Sequence, residues 1–255
     1  MFNENMIKKE FDRNGYVLID ANLNSNNKFK TITKKIYKDL NSQLLRKDLS
    51  YLGGYIMGNL NVNQGNYGSI LFSLVFKKKI IKIFEKITGK NLKTFDVLFG
   101  GNLSFPNKGS QIFHTDGTFD QKMYLISFAT EDITEENGPT EVCLGTSIKP
   151  LKYWQFFLTK KKKKKLLLKK GQVLIRKHSL WHRGTINNTV KTRLLLSFIL
   201  TPKKRELKIS NYKKLTILPN FFSSNLKGKV HEFIYTYLQN FLKYFKFLVS
   251  IIMNK

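Results

Sequence analysis

The chain has 255 residues, with 45 Lys and Arg against 17 Asp and Glu, a formal net charge of +28, and 42% hydrophobic residues. A chain of this length buries a sizeable core as one moderately large domain, and no internal repeat is evident. The single cysteine, Cys143, excludes an intrachain disulfide and any metal site built on thiolates; with no apolar signal core in Met1-Phe2-Asn3-Glu4-Asn5, a reducing cytoplasmic setting is expected.

Periodic apolar spacing predicts a short helix over 4–13, ended near Gly15, followed by a strand over 16–20. Helices are predicted over 28–48 and 76–88. Between them, Tyr51 to Ser69 is dense in Gly and Asn and reads as a surface loop, with a lid over a site as the alternative. Lys160 to Lys165, set between two apolar runs, reads as a solvated loop or helix face. Residues 172–183 and 189–200, rich in β-branched and aromatic side chains, read as strands.

The C-terminal stretch from Phe233 to Met253 is apolar and aromatic, yet Lys243 and Lys246 interrupt it. The run after Lys246 falls far short of the roughly 20 residues a spanning helix needs. The expectation is an amphipathic helix packed on the outside of the core; the alternative is peripheral membrane contact through 233–255, with the lysines toward lipid headgroups. Residues 1–90 then supply N-terminal helices and a loop, 91–203 the core with its site, and 204–255 a helical extension.

The triplet His114-Thr115-Asp116 carries the chemistry. Strand side chains alternate faces, so His114 and Asp116 project the same way, one pleat apart. Two imidazoles and a carboxylate make the 2-His-1-carboxylate facial triad, which leaves the remaining octahedral positions of Fe(II) open. His182 is the expected third ligand. If Asn187-Asn188 are the centre of a two-residue turn, the register places His182 directly opposite Arg193, with Cβ atoms about 5 Å apart. A guanidinium there would grip the far carboxylate of a small dicarboxylate such as 2-oxoglutarate.

His178 competes with His182, because alternation puts both on one face. In a regular hairpin Ser197 would oppose it, so His178 is read as a structural histidine or one that orients a ligand. His231, among aromatic residues, is expected to face solvent.

The charge of +28 fits a nucleic-acid or acidic-membrane binder. Lys dominates Arg, however, and travels with abundant Asn and Ile, as expected of AT-rich codons. No specific nucleic acid is therefore expected; the functional version is attraction of an anionic substrate.

Phe113-His114-Thr115-Asp116-Gly117, Glu131 to Pro139, Leu144-Gly145-Thr146-Ser147, Gly171 to Ile175, and Leu180-Trp181-His182-Arg183-Gly184 with Arg193 resemble the phytanoyl-CoA dioxygenase family; the opening Phe11 to Ile19 does too. The resemblance covers the N-terminal stretch and most of 96–200. It implies a mainly β fold with flanking helices, a double-stranded β-helix of the cupin-like jelly-roll kind. It also implies one oxygenase domain over 1–255 that oxidises a small-molecule substrate with Fe(II), 2-oxoglutarate and O2. By position, His114, Asp116 and His182 would bind iron, Arg193 the distal carboxylate of 2-oxoglutarate, and Asn102 would match a polar side chain beside that co-substrate.

Two departures stand out. Ser127-Phe128-Ala129 lacks the Trp that relatives carry before Ala, and Ile148 replaces their His, so the pocket wall differs. Asp116 fills the position that related halogenases vacate for chloride, which favours hydroxylation, desaturation or ring chemistry. The competing readings are a basic nucleic-acid or membrane-surface binder on the same scaffold, and an enzyme using another divalent metal without O2.

Overall fold

Apolar residues at every second position decide this architecture. The computed structural model describes residues 4–45, 58–117, 119–203 and 212–218, and in the C-terminal part 226, 229–230, 233–234 and 238–252. Among the described residues, ten strands form two antiparallel sheets. They are β1 (Tyr16–Asp20), β2 (Asn59–Asn63), β3 (Phe95–Ser104), β4 (Tyr124–Ala129), β5 (Thr140–Cys143), β6 (Lys163–Leu166), β7 (Gln172–Lys177), β8 (His182–Gly184), β9 (Arg193–Pro202) and β10 (Thr216–Ile217). The large sheet runs β1-β7-β4-β9-β3-β2-β10 and the small one β6-β5-β8. From β3 onward the chain shuttles between the two sheets, as in a jelly roll, and the large sheet does not close into a barrel.

The alternation along β9 shows how the core and the site are separated. Leu194, Leu196, Phe198 and Leu200 point to one face and join the main core, together with Ile126 and Phe128 of β4 and Val173 and Ile175 of β7. Arg193, Leu195, Ser197 and Ile199 point to the other face and line a cavity. Helices cover the first face. In α2 (Asn27–Leu44), Phe29, Ile32, Ile36 and Leu40 recur at helical spacing and are buried, and the Asn26 side chain caps the helix by accepting from the Phe29 N–H. Beside α1 (Glu4–Asn14) packs α4 (Lys78–Thr88), which buries Ile80, Ile83, Phe84 and Ile87 and ends on Gly89 in the left-handed conformation. A second cluster, including Ala129, Val142, Leu166, Leu174 and Leu195, ties the two sheets together.

Several sequence expectations are met: the helix near 4–13, the strand at 16–20 and the helix from 28, which ends at Leu44 within the described residues. Others are corrected. The Gly- and Asn-rich region is not all loop, since Asn59–Asn63 forms β2 and Tyr67–Val75 forms the helix α3. The helix expected over 76–88 begins at Lys78. Lys163 to Leu166 is strand rather than a loop or helix face, because β6 pairs with β5. Residues 51–57 and His231, with the lid and solvent-facing expectations attached to them, lie outside the described residues.

The hairpin is the main correction. Residues 172–183 are not one strand: β7 ends at Lys177, a turn follows in which the Leu180 N–H bonds the Lys177 carbonyl, and β8 begins at His182 in the other sheet. Arg193 lies opposite Ser104, and Ser197 opposite Ser127 and Gly100, so neither faces His182 or His178. A two-residue turn on Asn187-Asn188 needs positive φ, which neither residue has. Asn187 is instead a buried knot. Its amide donates to the Ser104 and Lys191 carbonyls and its oxygen accepts from Thr189, which fixes the crossing between sheets.

Candidate metal centre

His114 is carried by a short extended segment on the edge of the small sheet. It forms an isolated antiparallel bridge with His182, and each donates its backbone N–H to the other's carbonyl at 2.9 Å. On its other side His182 pairs with Val142 of β5. The pairing extends one step further, where the Asp116 N–H bonds the His178 carbonyl. Backbone hydrogen bonds therefore set all three side chains of the expected triad.

The ring nitrogens are assigned by their neighbours. Nδ1 of His114 lies 2.9 Å from the Ile112 carbonyl, and Nδ1 of His182 lies 2.9 Å from the Leu180 carbonyl. A carbonyl only accepts, so each Nδ1 carries the proton and each Nε2 keeps its lone pair, the arrangement metal-binding imidazoles adopt. Both Nε2 atoms face Asp116, whose Oδ1 lies 3.9 Å from that of His114 and 3.5 Å from that of His182. One donor atom from each of the three residues lies within 4.8 Å of the others; among the described residues this is the one such cluster of His, Cys, Asp and Glu.

Electrostatics match a cation. Burial lowers the pKa of His114 to about 4, reinforced by His182, so its imidazole is neutral at pH 7. Burial would raise Asp116, but Arg176 outweighs it with help from both histidines, and the carboxyl sits well below its usual range. Arg176 donates to Asp116 Oδ2 at 2.7 Å and lies 3.1 Å from Nε2 of His182. It steadies one carboxylate oxygen while Oδ1 faces the imidazoles. Two imidazole nitrogens and an ionised carboxylate with a free oxygen are the donor set that Fe(II) accepts.

The triad opens into a cavity of about 310 Å³ that Asn102, Gln111, His178, Arg193, Leu195 and Ser197 also line. Arg193 is buried. Its Nη2 donates to the Gly138 carbonyl at 2.6 Å, while its buried Nη1 has no partner. Burial lowers its pKa to about 10, opposed by Glu131 and Tyr37, so it remains charged at neutral pH. A cation with an unmet donor in the triad's own cavity suits a carboxylate. Asn102 makes only a long bond, 3.5 Å, to the Leu60 carbonyl. Ser127 meets Ser197 at 2.8 Å on the cavity wall.

His178 does not join the donor cluster. Its ring is buried against Gly117, where an added Cβ would meet Nε2, and its backbone holds Asp116 in place. Sequence reasoning missed Arg176 and Gln111. A charge inside the run Val173-Leu174-Ile175-Arg176 was a readable signal, since a buried arginine needs a partner. Gln111, which accepts from the Gly184 N–H at 2.9 Å, had no such signal.

Fold and geometry together define a jelly-roll protein with a two-histidine, one-carboxylate donor cluster in its cavity. The chain belongs to the phytanoyl-CoA dioxygenase (PhyH) family, whose profile matches residues 11–195. Fe(II), 2-oxoglutarate and O2 are the cofactor and co-substrates of that family. Among solved structures, the chain is similar to the non-heme alpha ketoglutarate dependent epimerase SnoN from nogalamycin biosynthesis, at 14% identity and TM-score 0.58, covering 78% of this chain and 80% of that one. It is also similar to the carbocyclase SnoK from nogalamycin biosynthesis, at 12% identity and TM-score 0.57 over 89% of each chain. AviO1 from Streptomyces viridochromogenes Tue57 shares 14% identity and a TM-score of 0.56 over 79% of this chain and 96% of its own. One structure of SnoN is a complex with Fe3+, alpha ketoglutarate and nogalamycin RO. At these identities the likeness speaks for the fold. No curated protein matches the sequence.

Proposed function

We propose that this chain is a 2-oxoglutarate-dependent dioxygenase that hydroxylates a small or lipid-like, anionic organic molecule, with His114, Asp116 and His182 holding the iron and Arg193 and Asn102 holding 2-oxoglutarate. The observation that carries this reading is the meeting, in one cavity, of three donor atoms within 4.8 Å and a buried guanidinium with an unpartnered Nη1. Bound iron, with 2-oxoglutarate and O2, would supply the oxidising chemistry. The residues supply the rest. His114 and His182 present Nε2 lone pairs because backbone carbonyls hold their Nδ1 protons, and Arg176 keeps Asp116 ionised and oriented. Arg193 grips the co-substrate's far carboxylate and fixes which end meets the metal.

The wall left for substrate is mixed. Met123, Leu125, Leu195 and Ile199 are apolar, whereas Asn102, Gln111 and Ser197 give it a polar side, and the net charge of +28 supports an organic substrate bearing an acidic group. The test is turnover. The protein, with Fe(II) and ascorbate, is offered a panel of small acids and lipid-like molecules, and succinate release and product mass are followed with and without O2. A product heavier by one oxygen, formed only with O2 and 2-oxoglutarate, is expected. Turnover that persists without O2 would overturn the oxygenase reading in favour of another metal chemistry.

A further inference from the structure

The C-terminal helix α6 (Gln239–Ile252) packs against the short helix α5 (Tyr153–Leu158). On the packed side Leu242 and Ser250 are buried and Lys246, Phe247 and Val249 half-buried, while Phe157 of α5 lies against Phe247 at 4.7 Å and Tyr244 at 6.1 Å between ring centroids. The outward side carries Phe241, Tyr244, Phe245, Leu248, Ile251 and Ile252, each between 47% and 81% exposed. At roughly 100° per residue these six fall in one arc of about a third of the helix circumference, and no charged residue interrupts it. Contiguous apolar surface of this kind marks an interaction site.

Charge identifies the partner. Lys243, outside the arc, lines a cavity of about 360 Å³ beside α5 together with Lys161, Lys163 and Arg183, the last paired with Glu141, so cations flank the helix on its packed side. The chain as a whole carries +28. A second copy would bring the same charge to the contact and be repelled, whereas an anionic bilayer gains from it. No helix among the described residues is long and apolar enough to cross a membrane, which leaves binding in the plane of its surface. We infer that the outward face of α6 docks the protein on an anionic lipid surface, with Phe241, Tyr244, Phe245 and Leu248 entering the headgroup–acyl boundary and the exposed Lys243 and the net positive charge of the chain drawn to the headgroups. The helix thus does both things expected of it as alternatives: one side packs on α5 and the other meets lipid.

The experiment is co-sedimentation of the full chain with vesicles of phosphatidylglycerol and phosphatidylcholine, and with vesicles of phosphatidylcholine alone. Binding is expected only to the anionic vesicles, weakening with salt, and falling more than roughly tenfold in Phe241→Ser/Phe245→Ser/Leu248→Ser. Light scattering on the same samples reads self-association. If the triple variant fails to fold, Leu248→Cys carrying an environment-sensitive dye replaces it. Cys143 is buried and its thiol pushed up to about 11, so labelling is selective. A blue shift of the dye on anionic vesicles is expected. Wild-type protein that stays in the supernatant, binding that survives the triple substitution, a dye that does not shift, or a dimer dissolved by the serines would each overturn the inference. None of these readouts involves the metal centre, so their failure and that of the oxygenase reading are separable.

Discussion

His114 and His182 face each other across a single antiparallel bridge, each bonded to the other's backbone at 2.9 Å, with their ring centroids 4.5 Å apart. Directly opposed residues of a bridge share a face, so this one contact brings together two imidazoles that are 68 positions apart in the chain, from 114 to 182. Asp116 then joins them by strand alternation.

Arg176 is nearly buried and its charge is met by Asp116 at 2.7 Å, while the aspartate side chain is about a third open to solvent. Removing the carboxylate leaves a buried cation unpaired. Asp116→Ala is expected to lower stability by about 1–3 kcal/mol, less than the 3–5 of a fully buried pair. Asp116→Ala/Arg176→Met should recover most of that loss in urea denaturation. A double variant no more stable than the single one would mean the pair does not act as described.

The pKa of His114 is depressed in the folded chain, so the unfolded chain takes up its proton first as pH falls. The stability His114 contributes is complete above pH 6.5 and is lost progressively toward pH 4. The melting temperature of metal-free protein should fall across that window. His114→Gln should flatten the slope by on the order of 1 kcal/mol, discounted for partial exposure. An unchanged slope in His114→Gln would place the titrating group elsewhere.

Arg193→Met removes the guanidinium with the unmet donor. Loss of a charge-assisted, two-bond contact should weaken 2-oxoglutarate binding by roughly 30- to 1000-fold while iron uptake is retained. Equilibrium titration of the co-substrate against Fe(II)-loaded protein reads both. Unaltered affinity would remove Arg193 from the co-substrate site.

Gly101 lies on β3 where an added Cβ would come within 2.7 Å of the Leu195 carbonyl of β9, a rigid backbone group. Gly101→Ala is expected to cost about 2 kcal/mol or more and to disturb the cavity wall both residues line. A denaturation midpoint equal to wild type would show that β3 and β9 can part without penalty.

Much of this was legible in the chain because it rests on local rules. The period of two along 193–200 and the helical spacing of Phe29, Ile32, Ile36 and Leu40 each name an element and its buried face. His114, Asp116, His182, Arg193 and Asn102 do line one cavity. The route that brought His182 beside the site was misread, because a hairpin and a crossing between two sheets look alike in sequence when the break, at 178–181, is a turn without Gly or Pro. What decides between them is long-range pairing, β8 with β5 and β9 with β3 and β4, which no local pattern encodes. Arg176 escaped notice for a related reason: its partner Asp116 is 60 residues away.

The most direct measurement is anaerobic addition of Fe(II) and 2-oxoglutarate to wild type, His182→Ala and Asp116→Ala, with iron content and the weak visible charge-transfer band of the chelate recorded together. One iron per chain and a band in wild type, with both lost in His182→Ala and Asp116→Ala, is the expected result. Wild-type protein that takes up no iron and stays colourless would contradict it.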